Sequence, residues 1–264
     1  MTALRIAFFG LPLAACLLLL LTPLQAWPGA ALPGRVVRVA DGDTVTVATD
    51  DGTVEQVRYI GIDSPETHHP RRRVEELGRE ASRFNESLVL GKRVLLEFDL
   101  QRRDRYGRTL AYLWLADEGK GAMINELMVA EGFALPYSFP PNLRHTELFR
   151  EAFGRARASG KGLWSRARGR VFTPAQVWAE LPTVAGHFIT VRFKVQEVVS
   201  SETRITLRSD KGNASLIVHK SDADQFGPFE ESVGKTLTVV GKVTPGFGGP
   251  EILLADPSQV LSSR

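Results

Sequence analysis

Cysteine is almost absent from this chain: its 264 residues contain only one, Cys16. A disulfide scaffold is therefore excluded, and packing alone must hold the folded part together. The five histidines do not supply a zinc motif, since His68 and His69 are adjacent and no Cys, His or Glu at ligand spacing completes a set. A Gly-rich phosphate loop and a nucleophile elbow are also missing. The sequence thus favours neither a dinucleotide cofactor nor a serine hydrolase.

A second absence is that of a long apolar run. The first 26 residues carry one charged side chain, Arg5, followed by an apolar stretch at residues 6–21 and small residues at 22–26. This stretch is shorter than the roughly 20 apolar residues that span a bilayer. The order predicts a secretory signal peptide over residues 1–26 and a secreted or periplasmic protein.

Two alternatives to a cleaved signal stay open. An uncleaved segment would anchor the chain in the membrane, and Cys16 ends a sequence, Leu13-Ala14-Ala15-Cys16, that resembles the lipobox of bacterial lipoproteins. The leucines at residues 17–21 argue against acylation, because a mature lipoprotein would then begin with an apolar run instead of a polar tether. Membrane contact is expected only by these routes, and the protein is expected to be a monomer.

Charge is distributed unevenly along the chain. Basic side chains exceed acidic ones by three over residues 27–170, whereas acidic ones exceed basic ones by one over residues 171–264. The first part contains three basic clusters, at residues 71–73, 102–108 and 155–170. Basic patches attract the phosphate backbone of nucleic acids, although each cluster alone would also serve solubility.

Alternation of apolar and polar residues predicts two regions rich in β-strands. In the first, residues 34–62 form a three-stranded meander, and two further strands follow at residues 94–98 and 109–115. Helices are predicted at residues 75–90, 122–131 and 146–159. In the second region, three apolar stretches precede a polar insert at residues 221–234, and two follow it.

The predicted fold class is therefore α+β. An OB-like five-stranded β-barrel with three helices occupies residues 34–166, after a short mature N-terminal segment at 27–33. A second small OB-like β-barrel occupies residues 186–264. Residues 167–185 are predicted to be a linker with a short helix, since Thr173 and Pro174 have the pattern of a helix start.

Charged residues of the types that phosphodiester cleavage requires are grouped between residues 41 and 108. A hard cation binds oxygen ligands, an attacking water needs a base, and guanidinium groups stabilise charge on phosphate oxygens. Each motif alone is compatible with an ordinary turn, but their joint occurrence at strand ends of one barrel predicts a nuclease. The motifs are Asp41-Gly42-Asp43-Thr44, Arg58, Asp63-Ser64-Pro65-Glu66 and Asp104-Arg105-Tyr106-Gly107-Arg108.

With these motifs, residues 34–165 resemble the thermonuclease family, the staphylococcal nuclease-like domains. The resemblance extends to two further motifs in the family's order and spacing, Gly78-Arg79-Glu80-Ala81-Ser82 and Gly162-Leu163-Trp164-Ser165. It implies that Asp43, Asp63 and the backbone carbonyl of Ser64 bind Ca²⁺. Asp41 and Thr44 would lie just outside these ligands and orient them.

The resemblance also assigns the reacting groups. Glu66 would be the general base that activates water, and Arg58 and Arg108 would hold the phosphate and stabilise its developing charge. Nucleic acid would further contact a set of basic and aromatic side chains. For the two tyrosines of this set, a role in packing is the open alternative. This set is Arg71, Arg72, Arg105, Tyr106 and Tyr137. The loop at residues 133–142 departs from the family in having Phe139 where a tyrosine is frequent.

Together these inferences predict an exported, Ca²⁺-dependent endonuclease. By resemblance it would hydrolyse DNA and RNA without sequence specificity and leave 3′-phosphate ends. The alternative from another class is a non-catalytic nucleic-acid-binding protein built from two OB-like barrels. The sequence assigns no ligand to the second barrel.

Overall fold

The computed structural model describes residues 31–67, 74–116, 121–167, 169–209 and 214–264. The predicted signal peptide, Cys16, and the basic cluster at residues 71–73 lie outside the described residues. In the described part of the chain, no helix is both long and apolar enough to cross a membrane.

The first region contains seven strands and four helices. They are, in chain order, β1 (Leu32–Val39), β2 (Thr44–Thr49), β3 (Val54–Tyr59), β4 (Ile62–Asp63), α1 (Gly78–Val89), β5 (Arg93–Glu97), β6 (Thr109–Leu115), α2 (Ile124–Ala130), β7 (Leu135–Pro136), α3 (Thr146–Ser159) and α4 (Leu163–Arg166). Five of the strands close a barrel in the order β1-β2-β3-β6-β5, with β3 parallel to β6. The short strands β4 and β7 pair with each other beside it.

The second region contains the remaining strands and two short helices. They are β8 (Val171–Phe172), α5 (Pro174–Ala179), α6 (Leu181–Val184), β9 (Phe188–Ser200), β10 (Arg204–Ser209), β11 (Ser215–His219), β12 (Thr236–Gly246), β13 (Gly249–Leu253) and β14 (Val260–Ser263). The polar insert between β11 and β12 folds into two 3-10 turns, Ala223–Gln225 and Phe229–Ser232. Helix α5 has the capping box that the sequence predicts: the Thr173 side chain accepts from the backbone of Gln176, whose side chain accepts from Thr173.

The second region is also a closed barrel. Strand β12 pairs with β13 on one side and β9 on the other, so that β9, β10, β11, β13 and β12 form a ring. Strand β11 runs parallel to β13, as β3 does to β6. The two barrels therefore share one strand order. In each ring, the first three strands along the chain are followed by the fifth strand and then by the fourth. The prediction of two OB-like barrels is confirmed.

Helix α1 begins three residues later than the sequence predicts. Residues 75 and 76 lie in an irregular turn, because the Glu75 backbone N–H donates to the carbonyl of Glu66 (2.9 Å) and Leu77 adopts a left-handed conformation with φ 62°. A left-handed residue cannot continue an α-helix. The turn ties the start of α1 to the segment that follows β4.

The two barrels are packed directly against each other. Phe188 at the start of β9 and Val240 on β12 are buried within the core of the first barrel, at 1 % exposure each. The ring of Phe188 lies edge-on to Trp164, with 5.4 Å between centroids. The Thr190 hydroxyl also donates to the carbonyl of Ala167 (2.8 Å). The second barrel thus packs against the core of the first.

Candidate active site

The loop between β1 and β2 places Asp43 at the edge of the first barrel. Its backbone N–H donates to Oδ1 of Asp41 (3.0 Å), which holds the turn, and its Oδ1 accepts from the Thr44 hydroxyl (3.1 Å). Its Oδ2 accepts from the backbone N–H of Ser64 (2.8 Å). Asp43 is buried, and both oxygens of its carboxylate are oriented by neighbouring groups. Asp41 and Thr44 thus both form hydrogen bonds with Asp43.

Strand pairing brings Arg58 to the same point. Because Thr44 on β2 pairs with Arg58 on β3, the guanidinium lies beside the carboxylate of Asp43, with 3.0 Å from Nε to Oδ1. Its Nη2 lies 3.4 Å from Oδ1 of Asp63, and its Nη1 donates to the carbonyl of Ile62 (2.8 Å). One guanidinium therefore joins the two carboxylates that the sequence predicts as metal ligands.

The carboxylates at this point are unequally stabilised. Burial, followed by the nearby charges of Asp41 and Asp63, raises the pKa of Asp43 to about 6 even though Arg58 opposes the shift. Burial acts in the same direction on Asp63, but the cations Lys242 and Arg58 outweigh it and hold the pKa of Asp63 below its ordinary value. The effect of burial thus exceeds that of the nearby cation at Asp43, whereas the two cations exceed it at Asp63.

Glu66 follows Asp63 on the same segment and is half-buried. Burial, and then the negative charges of Asp43 and Asp63, raise its pKa above the ordinary glutamate value. Its backbone N–H donates to Oε2 of Glu75 (3.1 Å). A carboxylate with a raised pKa close to other acids is a stronger proton acceptor than one free in water.

These oxygens are of the type that a calcium ion binds. Across the described ranges, no three side chains of Cys, His, Asp or Glu come close enough to hold a metal ion together. Two carboxylates, Asp43 and Asp63, are nevertheless joined by Arg58, and burial raises the pKa of Asp43 to about 6. The donor set therefore fits a weakly held hard cation completed by backbone, phosphate and water oxygens.

A cavity of about 350 Å³ opens beside this group, and Arg58 lines it together with Arg108. Arg108 precedes β6, and its Nε donates to Oδ2 of Asp104 (2.7 Å) within the loop between β5 and β6. Asp104 Oδ1 also accepts from the Arg108 backbone N–H (2.9 Å). The loop thus holds the second guanidinium at the cavity in a defined orientation.

Aromatic side chains form the rim of the same cavity. Tyr106 is exposed, and the guanidinium of Arg105 lies 4.8 Å from its ring centroid. Tyr137 is half-buried and lies nearly parallel to Phe139, with 6.3 Å between their centroids. All four side chains line the cavity, and three of them, Arg105, Tyr106 and Tyr137, are predicted nucleic-acid contacts. Arg71 and Arg72 lie outside the described residues.

Comparison with known proteins agrees with this arrangement. The family model for staphylococcal nuclease homologues matches residues 56–166. Thermonuclease from Staphylococcus hyicus is 42% identical over 131 residues, which are 50% of this chain and 75% of that protein. The chain belongs to the staphylococcal nuclease family.

Further relatives support the same assignment. Thermonuclease from Staphylococcus intermedius is 41% identical over 131 residues, which cover 50% of this chain and 75% of that protein. The SPbeta prophage-derived endonuclease YokF of Bacillus subtilis (strain 168) is 38% identical over 131 residues, covering 49% of this chain and 43% of that protein. The predicted resemblance is confirmed, and these similarities extend over about half of the chain.

The structure adds two residues to the site that sequence reasoning missed, Lys242 of the second barrel and Glu75 of the first. Lys242 on β12 of the second barrel donates from Nζ to Oδ2 of Asp63 (2.8 Å) and to Oε2 of Glu75 (3.2 Å). Both Lys242 and Glu75 are buried. The sequence contains one signal for this contact, since Lys242 lies within the apolar run Val239-Val240-Gly241-Lys242-Val243. A lysine buried with such a run requires an acidic partner for its ammonium.

The second barrel also contacts the aromatic rim of the nuclease-like domain. His219 at the end of β11 lies edge-on to Tyr137, with 5.6 Å between ring centroids. The Ser221 hydroxyl donates to the carbonyl of Ser138 (3.0 Å), and Asp222 lies 3.4 Å from the guanidinium of Arg150 on α3. The second barrel therefore forms one side of the candidate site.

Proposed function

We propose that this protein is an exported, Ca²⁺-dependent endonuclease. It hydrolyses phosphodiester bonds of DNA and RNA without sequence specificity and leaves 3′-phosphate ends. Its membership of a family that includes thermonucleases supports a nuclease. The observation that carries the proposal is that Arg58 contacts the carboxylates of both Asp43 and Asp63 and lines one cavity together with Arg108.

Asp43, Asp63 and the backbone carbonyl of Ser64 are the groups that would hold Ca²⁺. When bound, the ion supplies positive charge against the phosphate oxygens. Asp41 fixes the turn that carries Asp43, and Thr44 fixes one carboxylate oxygen, so both orient the ligand without being ligands themselves. With two carboxylates, binding is expected to be weak, with a Kd on the order of 10⁻⁴ to 10⁻³ M.

Glu66 acts in this proposal as the general base. Its carboxylate takes a proton from the attacking water as the oxygen of that water bonds to phosphorus, and the 5′ oxygen leaves. The raised pKa of Glu66 suits the task, because its carboxylate accepts a proton more readily than that of an exposed glutamate. The group must be ionised to act as the base. Activity therefore falls as pH decreases.

Arg58 and Arg108 stabilise the negative charge that accumulates on the phosphate during this step. A guanidinium keeps its proton at all physiological pH values and presents several N–H donors in one plane. Arg58 is oriented by Asp43 and by the carbonyl of Ile62, and Arg108 is oriented by Asp104. Neither group needs to reorganise greatly when charge develops, which is the basis of electrostatic catalysis.

Substrate contacts are expected through the backbone and through stacking. Tyr106, Tyr137 and Phe139 line the cavity, and every base has a face on which an aromatic ring can stack. Phosphate contacts and stacking carry little sequence information. This rim supports cleavage of flexible or single-stranded regions without a preferred sequence.

A digestion assay tests the proposal. The purified protein is incubated with single-stranded DNA, duplex DNA and RNA in millimolar Ca²⁺ or in excess chelator, and the new ends are identified by mass spectrometry. Cleavage only with Ca²⁺, with phosphate on the 3′ end, is the expected result. Binding of nucleic acid without cleavage in Ca²⁺ would favour a non-catalytic protein with two OB-like barrels.

Export is tested separately on the protein made in bacterial cells. The intact mass of the mature chain is expected to correspond to a start near residue 27. A chain that keeps residue 1, or a lipid-modified Cys16, would instead place the protein on the membrane.

A further inference from the structure

We infer that Lys242 of the second barrel competes with a divalent cation for Asp63 and so sets how tightly the site binds that cation. The inference rests on the proposed function, since it assumes that Asp63 is a cation ligand. It gives the second barrel a part in the candidate site. The nuclease-like domain then provides the carboxylates, and the other barrel provides a charge that opposes the cation.

The ammonium of Lys242 lies among the acids of the first barrel. Its Nζ is 2.8 Å from Oδ2 of Asp63 and 3.2 Å from Oε2 of Glu75, and Lys242 is 8% exposed. The other oxygen of Asp63 faces Arg58 at 3.4 Å, the longest of the contacts to this carboxylate. Asp63 is thus already paired with two cations before any metal ion binds.

The position of Lys242 is fixed by the packing of the two barrels. On β12 it pairs with Phe188 of β9, which is buried against Trp164 of the first barrel. The backbone N–H of Gly186 donates to the carbonyl of Val243 (2.8 Å), which ties the start of the second barrel to this part of β12.

Gly186, which is hydrogen-bonded to this strand, also lies close to the turn that carries Glu75. A Cβ at this position would lie 2.9 Å from Cγ of Glu75, and its φ of 81° is left-handed. The strand that carries Lys242 and the turn that carries Glu75 are therefore in close contact. The fold thus places the ammonium of Lys242 among these acids.

The positive charge of Lys242 opposes the binding of a cation at Asp63. A metal ion on Asp63 must either displace the ammonium from Oδ2 or bind close to it, and like charges at such short distances repel strongly in a partly desolvated site. Removal of the ammonium takes away this repulsion, ends the ion pair of Glu75 with Lys242 and leaves Asp63 paired with Arg58 alone. Both effects increase the affinity of the site for a divalent cation.

The test measures Ca²⁺ binding directly, by isothermal titration calorimetry on the full chain without nucleic acid. Lys242→Met keeps most of the side-chain volume and removes the charge, whereas Lys242→Arg keeps the charge. Lys194→Met is the matched control, since Lys194 is exposed on β9 of the same barrel. We expect the Kd of Lys242→Met to decrease at least tenfold and those of the other two variants to stay within threefold of wild type.

An unchanged or larger Kd in folded Lys242→Met overturns the inference, and so does an absence of binding in both wild type and this variant. A second measurement needs no variant. Acylation of Lys242 in the wild-type chain, quantified by peptide mass spectrometry, is expected to increase with Ca²⁺ as the ammonium leaves Asp63, while acylation of Lys194 stays constant. Equal Lys242 acylation with and without bound Ca²⁺ contradicts competition.

These outcomes are separate from those of the digestion assay. Wild-type cleavage in Ca²⁺ without a tighter Kd in Lys242→Met would refute the role of Lys242 and leave the proposed nuclease intact. A tighter Kd in a protein that does not cleave would support Lys242 as a competitor and refute the proposed function.

Discussion

Asp104 holds the guanidinium of Arg108 from one side, with 2.7 Å between its Oδ2 and Nε of the arginine. The backbone N–H of Arg108 donates to the other oxygen of the same carboxylate. Because both contacts lie within one loop, the arginine reaches the cavity already oriented. This preorganisation matters for any reaction in which charge develops on a phosphate.

Arg108→Lys is expected to reduce kcat/KM for DNA cleavage by about 100-fold or more. A lysine supplies the charge but cannot contact Asp104 and phosphate with one planar group. Arg93→Lys is the matched control, since Arg93 makes a two-pronged ion pair with Asp50 at an exposed position on β5. Steady-state cleavage rates that fall equally in both variants would argue against a specific role for Arg108.

The pKa of Asp43 predicts how Ca²⁺ affinity depends on pH. Burial and the neighbouring acids raise this pKa to about 6, so the carboxylate is ionised above this pH and takes up a proton below it. A protonated carboxyl is a poor ligand for Ca²⁺. From pH 7.5 to pH 5, we expect the affinity measured by calorimetry to fall about tenfold, because a carboxyl with this pKa is only about one-tenth ionised at pH 5.

The same titration offers an internal check. Ca²⁺ binding near pH 6 is expected to release protons, which calorimetry detects as a dependence of the measured heat on the ionisation enthalpy of the buffer. An affinity that is equal at the two pH values, with no proton release, would remove Asp43 from the set of ligands.

The contact between the barrels is tested by Phe188→Ala. The ring is buried within the core of the first barrel although the residue belongs to the second, so its removal is expected to reduce the free energy of unfolding by about 3–5 kcal/mol. Phe247→Ala is the control, because Phe247 is fully exposed at the turn between β12 and β13. Urea denaturation that shows equal stability for both variants would contradict packing of Phe188 between the barrels.

Local sequence patterns are sufficient to predict much of the nuclease-like domain. The alternation around Asp41-Gly42 specifies the hairpin of β1 and β2, and the spacing to β3 then places Arg58 opposite Thr44. The bounds of β6 and α3 agree with their apolar periodicity. Short-range pairing thus brings Asp43 and Arg58 together, which makes this part of the site visible in the sequence.

The contribution of the second barrel depends on contacts that no local pattern records. Lys242 and Asp63 are 179 positions apart, and contacts between the barrels, among them the packing of Phe188 and Val240 into the first core, bring them together. Helix α1 begins late for a related reason, since Glu75 bonds to Glu66 and faces Lys242 instead of entering the helix. Tertiary contacts override helical periodicity here.

The central claim is that this constellation cleaves phosphodiesters with Glu66 as the base, and single-turnover cleavage of DNA by Glu66→Gln in saturating Ca²⁺ tests it most directly. Glu86→Gln, a change at an exposed position of α1, is the control. We predict that Glu66→Gln cleaves about 10²- to 10⁴-fold more slowly than wild type, while its Ca²⁺ affinity stays within threefold and the control is unaffected. Cleavage by Glu66→Gln at the wild-type rate would contradict the account.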